Sequence, residues 1–139
     1  MRNKVFTYVT IRVNEVFYLL VFKSINEPGF EIPKGTVETG EKLETAVRRE
    51  VFEESGFNKL QILKELGNVI WKDEEHHFFL AEVESSGLNG FTHLVTGNDI
   101  DEGFSYEYSW EEITQDLKNR LVQGSERFFD ALIFEIGTF

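Results

Sequence analysis

Three glutamates close together in the chain, Glu50, Glu53 and Glu54, have a spacing that suits metal-assisted chemistry. On a helix, with about 100° of rotation per residue, Glu50 and Glu54 stack one turn apart and Glu53 lies beside them. Three carboxylates on one face repel one another, at a cost of roughly a few tenths of a kcal/mol for each adjacent pair. A hard cation such as Mg²⁺ or Mn²⁺ removes that cost, because carboxylate oxygens are its preferred ligands. An isolated pair of acidic residues more often belongs to a solvated helix face. The residues that flank the trio must therefore decide whether the sequence indicates a metal site.

The residues that flank the trio add groups that suit phosphate chemistry. Arg49 could hold one carboxylate in position through a bidentate pair. Upstream, Pro33-Lys34-Gly35 and Gly40-Glu41 frame a glycine-rich loop that feeds the helix. Gly35 could offer a carbonyl oxygen to a metal, and Lys34 could meet a substrate phosphate as a point charge. Together with the glutamates, these groups indicate a metal-dependent reaction at a phosphate.

The spacing of these residues is similar to the Nudix box. That pattern is Gly, five residues, Glu, seven residues, Arg-Glu, a bulky aliphatic residue, any residue, Glu-Glu, any residue, Gly and a bulky apolar residue. The matching positions here are Gly35, Glu41, Arg49, Glu50, Val51, Glu53, Glu54, Gly56 and Phe57. Phe57 fills the last position as an aromatic residue, a mild departure from Ile, Leu or Val. The chain therefore resembles the Nudix family over residues 35–57, and less specifically in the strand layout on both sides.

The resemblance implies a fold and a reaction. The Nudix fold is a mixed β-sheet between helices, with the box forming a loop-helix-loop. The implied reaction is attack of water on a phosphorus of a nucleoside diphosphate linked to another group, assisted by two or three Mg²⁺ or Mn²⁺ ions. Arg49 and Glu41 would hold the loop and the helix together. By resemblance, the metal ligands would be three carboxylates and one carbonyl oxygen, namely Glu50, Glu54, Glu53 and Gly35.

The general base varies in position across the family, so several acidic residues are candidates. Glu53 is one of them. The others lie outside the box: Asp99, Asp101, Glu102 and Glu107. Glu107 is favoured because it lies in the strand-like run 104–110, although alternation along a strand could equally point its side chain to solvent.

Substrate identity depends on loops outside the box. The segment Glu31-Ile32-Pro33-Lys34-Gly35 resembles Nudix enzymes that act on dinucleoside polyphosphates, but Pro-Lys-Gly also occurs in members with other substrates. The alternative is a Nudix-fold module that senses a nucleotide without cutting it. Such modules usually lose box carboxylates, and this chain keeps them. Many relatives form homodimers, so a homodimer is among the expected assemblies.

The elements that must position the box can be predicted from periodicity. The sequence predicts strands at 5–11, 16–22, 60–66, 77–83 and 104–110, and an extended segment at 30–33. An apolar stripe at helical spacing predicts a helix over Leu43–Ser55, ended by Gly56. Two further helices are expected at Glu111–Leu121 and Ser125–Phe134, and a long loop at Gly87–Gly103. The fold class is therefore α+β, an α/β/α sandwich.

Length and composition narrow the function further. A chain of 139 residues fits one domain spanning residues 1–139. The formal net charge of −11 argues against binding to polymeric nucleic acid, because phosphate backbones reward clustered lysine and arginine. The chain contains no cysteine and its apolar stretches are short, so we expect a cytoplasmic protein without a membrane span. The expected partner is therefore a small nucleotide, with divalent cations bridging its phosphates and the acidic protein.

Overall fold

A computed structural model describes residues 1–84, 87–97 and 102–137. A 3₁₀ helix, Gln115–Arg120, lies between the last strand and the last helix. The other elements, in chain order, are β1 (Arg2–Val13), β2 (Val16–Lys23), β3 (Phe30–Glu31), β4 (Lys34–Thr36), α1 (Leu43–Ser55), β5 (Gln61–Trp71), β6 (Glu74–Glu82), β7 (Phe91–Leu94), β8 (Ser105–Glu112) and α2 (Phe129–Ile136).

The strands form a mixed sheet in the order β5-β6-β1-β2-β8-β7, with β3 pairing with β2 and β4 with β1. The β1–β6 pair is parallel, whereas the other pairs are antiparallel. Helix α1 packs on one face through Val47 and Val51. The 3₁₀ helix and α2 pack on the other face through Leu117, Phe129 and Leu132. The expected α+β class, a mixed sheet between helices, is therefore confirmed.

The β1 strand lies at the centre of the sheet because its sequence can be buried on both faces. Residues 5–11 are all buried. Val5 and Val9 point toward α1, whereas Phe6 and Tyr8 point toward α2. Such a near-continuous apolar run is typical of a strand that is covered on both sides. The strand therefore gives the neighbouring β4 a rigid support.

Two connected elements, β4 and α1, carry the glutamate-rich segment. Strand β4 pairs antiparallel with β1, with Gly35 opposite Val5 and Lys34 opposite Phe6. Helix α1 has the predicted bounds, Leu43–Ser55, and presents an apolar stripe to the core. It ends at Gly56, whose φ of 86° is the left-handed conformation of a helix C-cap, and whose N–H donates to the Phe52 carbonyl at 2.8 Å. The expected stop at Gly56 is confirmed.

The helix predicted at Glu111–Leu121 is wrong in its first half. Glu111 and Glu112 continue β8, opposite Leu19 and Tyr18 of β2. The Ile113 N–H then donates to the Phe17 carbonyl at 3.0 Å, which extends the strand pairing. Only Gln115–Arg120 is helical, as a 3₁₀ helix. Pairing with β2 across the sheet outweighs the local helix propensity.

Other element boundaries also differ from the sequence-based expectation. The segment expected as a loop at Gly87–Gly103 contains β7, which pairs with β8. The helix expected at Ser125–Phe134 begins later, since α2 is Phe129–Ile136 and turns precede it. No helix within the described residues is long and apolar enough to span a membrane.

Candidate active site

Arg49 is the residue around which the glutamate-rich segment is organised. Its Nε and Nη2 donate to the two carboxylate oxygens of Glu41, each at 2.9 Å, which is a bidentate pair. Nη2 also donates to the Thr36 carbonyl at 2.9 Å. The loop after β4 is therefore fastened to α1 by one guanidinium group. The hydrogen bond from Arg49 lowers the pKa of Glu41, and the same contact raises the pKa of Arg49.

The same guanidinium group contacts two of the three glutamates predicted as metal ligands. Its Nη1 lies 2.7 Å from Glu50 Oε1 and 3.2 Å from Glu53 Oε1. One positive charge thus forms hydrogen bonds with three carboxylates, counting Glu41. Carboxylates in a partly desolvated site are stabilised only when cations balance them. The local charge therefore stays negative, which favours an additional cation.

The backbone of Gly35 lies directly against the Glu50 carboxylate. A Cβ atom at position 35 would lie 1.9 Å from Glu50 Cδ and 2.0 Å from Oε2, so a side chain cannot fit there. Glu50 is itself almost fully buried, with 1% of its surface exposed. Glycine thus allows β4 to approach a buried carboxylate, and carboxylate oxygens are the kind of ligand that Mg²⁺ and Mn²⁺ bind.

Glu54 lies at the edge of β4. The Lys34 backbone N–H donates to Glu54 Oε1 at 3.3 Å, and 4% of Glu54 is exposed. Glu50 and Glu54 are therefore both buried next to β4, as their one-turn spacing on α1 requires. Within the described ranges, however, no three acidic or histidine side chains already surround a single point.

Strand β7 and the loop after it support the end of α1. The Thr96 N–H donates to the Glu53 carbonyl at 3.0 Å, and His93 Nε2 lies 3.2 Å from the same oxygen. A Cβ at Gly97 would lie 2.4 Å from Glu53 Cδ, so that loop contacts the Glu53 side chain closely. From β8, the Tyr108 hydroxyl donates to the Glu54 carbonyl at 2.8 Å. These contacts fix where Glu53 and Glu54 sit.

Sequence reasoning missed His93, Thr96 and Tyr108 as supports of the glutamates. They are separated from Glu53 and Glu54 by about 40 to 54 positions along the chain. No local pattern indicates such contacts, because they arise from the antiparallel pairing of β7 with β8 and the packing of α1 on the sheet.

The structure does not bring Glu107 to the other carboxylates. Its neighbours Tyr106 and Tyr108 are buried on the face that α1 covers. Alternate residues of a strand point to opposite faces, so Glu107 points away from α1, and its side chain is exposed. The expectation that favoured Glu107 as general base is therefore not supported. Glu102 is exposed in a turn, and Asp99 and Asp101 lie outside the described residues.

Lys34 has its side chain on the face of the sheet opposite the glutamates. Its Nζ lies 3.3 Å from Glu31 Oε1 and 5.8 Å from the centre of the Phe6 ring. Only its backbone N–H contacts the glutamate site, through Glu54. The Lys34 side chain therefore lies away from the glutamates, and its expected contact with a substrate phosphate stays a prediction.

Comparison with known proteins gives a consistent result. A model of the NUDIX domain matches residues 2–132. No curated protein matches the sequence closely. Among solved structures, a Caenorhabditis elegans Ap4A hydrolase in a binary complex is similar over 100% of both chains, with a TM-score of 0.71 and 17% identity.

Two bacterial structures show the same similarity. A mutT/nudix family protein from Listeria innocua has a TM-score of 0.68 and 15% identity, covering 99% of this chain and 94% of that one. The Escherichia coli dihydroneopterin triphosphate pyrophosphohydrolase has a TM-score of 0.65 and 12% identity, covering 96% and 95%. At these identities, the similarity shows a shared fold.

Proposed function

This chain belongs to the Nudix hydrolase family, and on this premise we propose that it is a pyrophosphohydrolase that uses Mg²⁺ or Mn²⁺ to cleave a nucleoside diphosphate linked to another group. The observation that carries the proposal is the pair Gly35 and Glu50. A buried carboxylate lies against a backbone that has no room for a side chain, and Glu54 lies next to it at the edge of β4. Carboxylate and backbone carbonyl oxygens are the ligands that a hard cation such as Mg²⁺ or Mn²⁺ prefers.

We assign the metal ligands to Glu50 and Glu54, with the Gly35 carbonyl oxygen as a further ligand and Glu53 in contact with the metal through water. A divalent cation bound there supplies the Lewis acidity needed for attack of water on phosphorus. Arg49 orients Glu50 and Glu53 through its Nη1 atom. The bidentate pair between Arg49 and Glu41 keeps the β4 loop in register with α1.

Glu53 is the general base that the described geometry favours. Its side chain is 16% exposed, against 1% for Glu50, so it can reach water at the mouth of the site. A base must come within hydrogen-bonding distance of the water that it deprotonates. Glu107 points to the opposite face of the sheet, which leaves Glu53 better placed for this role.

The substrate class that we propose is a small nucleotide, with dinucleoside polyphosphates as the first members to test. Two observations support this choice. The segment 31–35 resembles that of Nudix enzymes acting on these compounds, and the fold is similar to that of an Ap4A hydrolase. The absence of cysteine from the sequence agrees with a cytoplasmic location.

The proposal is tested by a substrate screen in the presence of Mg²⁺ or Mn²⁺. The panel contains dinucleoside polyphosphates, nucleotide sugars and modified nucleoside triphosphates. We expect metal-dependent release of a nucleoside monophosphate from at least one of them. Glu54→Gln should reduce turnover by orders of magnitude, because it removes a carboxylate charge and preserves the shape.

Glu44→Gln is the matched control for Glu54→Gln. Glu44 is on the same helix but is exposed in its first turn, so its loss should leave turnover nearly unchanged. Equal activity of Glu54→Gln and the parent enzyme would contradict the assignment. Ligand-dependent thermal stabilisation without product from any compound would instead favour a nucleotide-sensing module.

A further inference from the structure

His77 of β6 has a buried ring nitrogen without a hydrogen-bond partner. Alternate residues of a strand point to opposite faces, and Phe79 and Ala81 belong to the cluster that packs against α1, so His77 also points toward α1. Only 8% of its surface is exposed. Its Nε2 lies 2.9 Å from Asn3 Oδ1, whereas nothing in the described part of the chain hydrogen-bonds to its Nδ1. Because buried polar atoms are nearly always satisfied, this nitrogen is a candidate ligand atom.

The contact with Asn3 decides which tautomer the imidazole adopts. An amide oxygen only accepts, so His77 Nε2 must donate the proton. In the neutral ring, Nδ1 then carries a lone pair and no proton. Histidines that bind metals are oriented in the same way, since their other ring N–H usually donates to a carbonyl or carboxylate oxygen. Asn3 therefore presents the Nδ1 lone pair of His77 as a metal ligand would be presented.

A carboxylate from the neighbouring strand lies beside this nitrogen. Glu65 Oε2, on β5, is 3.6 Å from His77 Nδ1, which is too long for a hydrogen bond. Two bonds of about 2.1 Å from a tetrahedral Zn²⁺ to nitrogen and oxygen place the two ligand atoms about 3.4 Å apart. Within the described ranges, Glu65 forms no ion pair with a lysine or an arginine. The two side chains therefore have the spacing needed to share one cation.

The pair lies between two clefts at the start of α1. His77 lines a cleft of about 630 Å³ together with the loop after β4, and Glu65 lines a second cleft of about 270 Å³. Leu43, the first residue of α1, borders both clefts. Glu50, the first of the three box glutamates along the helix, is two turns further on, which is a rise of about 10 Å. The pair is thus open to solvent and separate from the glutamate site.

The ligand atoms indicate which cations suit this pair. Imidazole nitrogen suits Zn²⁺, Ni²⁺ and Cu²⁺, whereas Mg²⁺ takes oxygen ligands. The glutamate site offers only oxygen atoms, so the two sites should differ in the cation that they prefer. Among the described residues no third acidic or histidine side chain joins the pair, so water would complete the coordination.

We propose that His77 and Glu65 form a binding site for a transition-metal cation such as Zn²⁺, separate from the metal site of the box glutamates. The cation joins β5, at the edge of the sheet, to β6. The register of this pair shifts between Glu65 and Gly67, so a bridging metal stabilises an irregular part of the edge. The backbone carbonyl of Asn3 accepts from the Val37 N–H at 2.9 Å, which also connects the site to the loop after β4.

Calorimetric titration with Zn²⁺ in excess Mg²⁺ tests the site. We expect saturable binding to the parent chain that weakens by more than about ten-fold in Glu65→Gln and in His77→Gln, because each variant loses a ligand. Asn3→Ala should weaken binding by about ten-fold, since it releases the ring but keeps both ligands. The same variant keeps the backbone carbonyl that Val37 uses, so the loop contact is retained.

Two variants serve as matched controls. Glu44 borders the same cleft as Glu65 but forms no ion pair with His77 among the described residues, so Glu44→Gln should bind Zn²⁺ as the parent does. His76 is the next residue along β6 and points to the opposite face. Both of its ring nitrogens already have hydrogen-bonding partners, so His76→Gln should also keep the affinity.

Thermal denaturation with and without Zn²⁺ gives a second measurement. Zn²⁺ should raise the Tm of the parent chain and of Glu44→Gln, but not that of Glu65→Gln. The same scans without metal show which variants are folded. If His77→Gln unfolds, Glu65→Gln and Asn3→Ala carry the test, because 43% of the Glu65 side chain is exposed and Asn3 is only partly buried.

Nitrogen-15 NMR of the histidine rings distinguishes a bound metal from an ion pair between protonated His77 and Glu65. Zn²⁺ should shift the Nδ1 resonance of His77 and leave both resonances of His76 in place. No shift at His77, or equal Zn²⁺ affinity in the parent and in Glu65→Gln, overturns the proposal and leaves the ion pair. None of these measurements uses turnover, so their outcome does not depend on the hydrolase function.

Discussion

Gly35 lies so close to Glu50 that a single Cβ atom on the glycine would overlap the carboxylate, at 1.9 Å from Cδ. The contact joins β4 to α1 at the position where both the sequence pattern and the fold expect a metal. It also explains why position 35 must be glycine although its backbone needs no left-handed φ. The requirement is space for the Glu50 carboxylate. A substitution at position 35 can therefore test metal binding separately from folding.

Gly35→Ala should abolish binding of Mn²⁺ at concentrations that saturate the parent chain. The added methyl group displaces Glu50 or separates β4 from α1, and either movement spoils the ligand geometry. Isothermal titration with Mn²⁺ measures the effect. The matched control is Gly40→Ala, because Gly40 has no atom within 4 Å of an added Cβ and suffers only from its φ of 78°. We expect the control to lose about 1 kcal/mol of stability and to keep metal affinity. Unchanged Mn²⁺ affinity in Gly35→Ala would contradict the assigned ligand set.

Arg49→Lys should weaken both the fold and turnover, although the charge is kept. Lysine cannot reproduce the two parallel contacts with Glu41 together with those to Glu50 and the Thr36 carbonyl. Loss of these partly buried contacts should lower the free energy of unfolding by about 2 kcal/mol. Urea denaturation measures that change. A lower kcat would report that Glu50 and Glu53 are misplaced. A lysine variant with parental stability and kcat would show that a point charge suffices at this position.

The contacts of Arg49 with Glu41 also predict a pH dependence of stability. Arg49 lowers the pKa of Glu41 in the folded chain below its unfolded value of about 4.3. The ionised carboxylate therefore stabilises the fold above the unfolded pKa, and this contribution is lost as pH falls through the lower folded pKa. In urea titrations, the stability difference between the parent and Glu41→Gln should be constant near neutral pH and should shrink below about pH 4.3.

Glu38→Gln is the control for this pH dependence. Glu38 Oε1 lies 3.9 Å from Arg49 Nε, and 60% of the Glu38 side chain is exposed, so the pair is weak. The stability difference between the parent and Glu38→Gln should stay near zero at every pH. A difference between the parent and Glu41→Gln that does not vary between pH 7 and pH 3 would rule out the proposed coupling.

The site divides into a part that the sequence predicts and a part that it does not. The bounds of α1 and the stacking of Glu50 and Glu54 follow from helical periodicity, which is a local property. The loss of helix at Glu111 depends on pairing with Leu19, more than 90 positions earlier. Contacts between distant parts of the chain have no local pattern, so the sequence could not indicate them.

The same distinction applies to Lys34. Lys34 was expected to contact a phosphate because it lies in the Pro-Lys-Gly segment. Its side chain nevertheless lies on the opposite face from the glutamates, because the strand alternation of β4 sends Gly35 to one face and Lys34 to the other. Only the three-dimensional arrangement shows which face of the sheet the Lys34 side chain occupies.

Tyr108→Phe should have a small effect on the fold and a larger relative effect on turnover. The Tyr108 hydroxyl donates to the Glu54 carbonyl at 2.8 Å, and the ring is buried against Phe91 and Phe22. Phenylalanine keeps the ring packing but leaves a buried carbonyl at the end of α1 with one donor fewer. Stability should therefore fall by about 1 kcal/mol.

The kinetic effect of Tyr108→Phe follows from the position of its partner. A shift of the last turn of α1 moves Glu53 and Glu54 relative to Gly35, so kcat should fall while KM for substrate changes little. The matched control is Tyr18→Phe on the neighbouring β2 strand, which should change stability by less than about 0.5 kcal/mol and leave kcat intact. Equal kcat values for Tyr108→Phe and Tyr18→Phe would show that the hydroxyl supports the fold without positioning the glutamates.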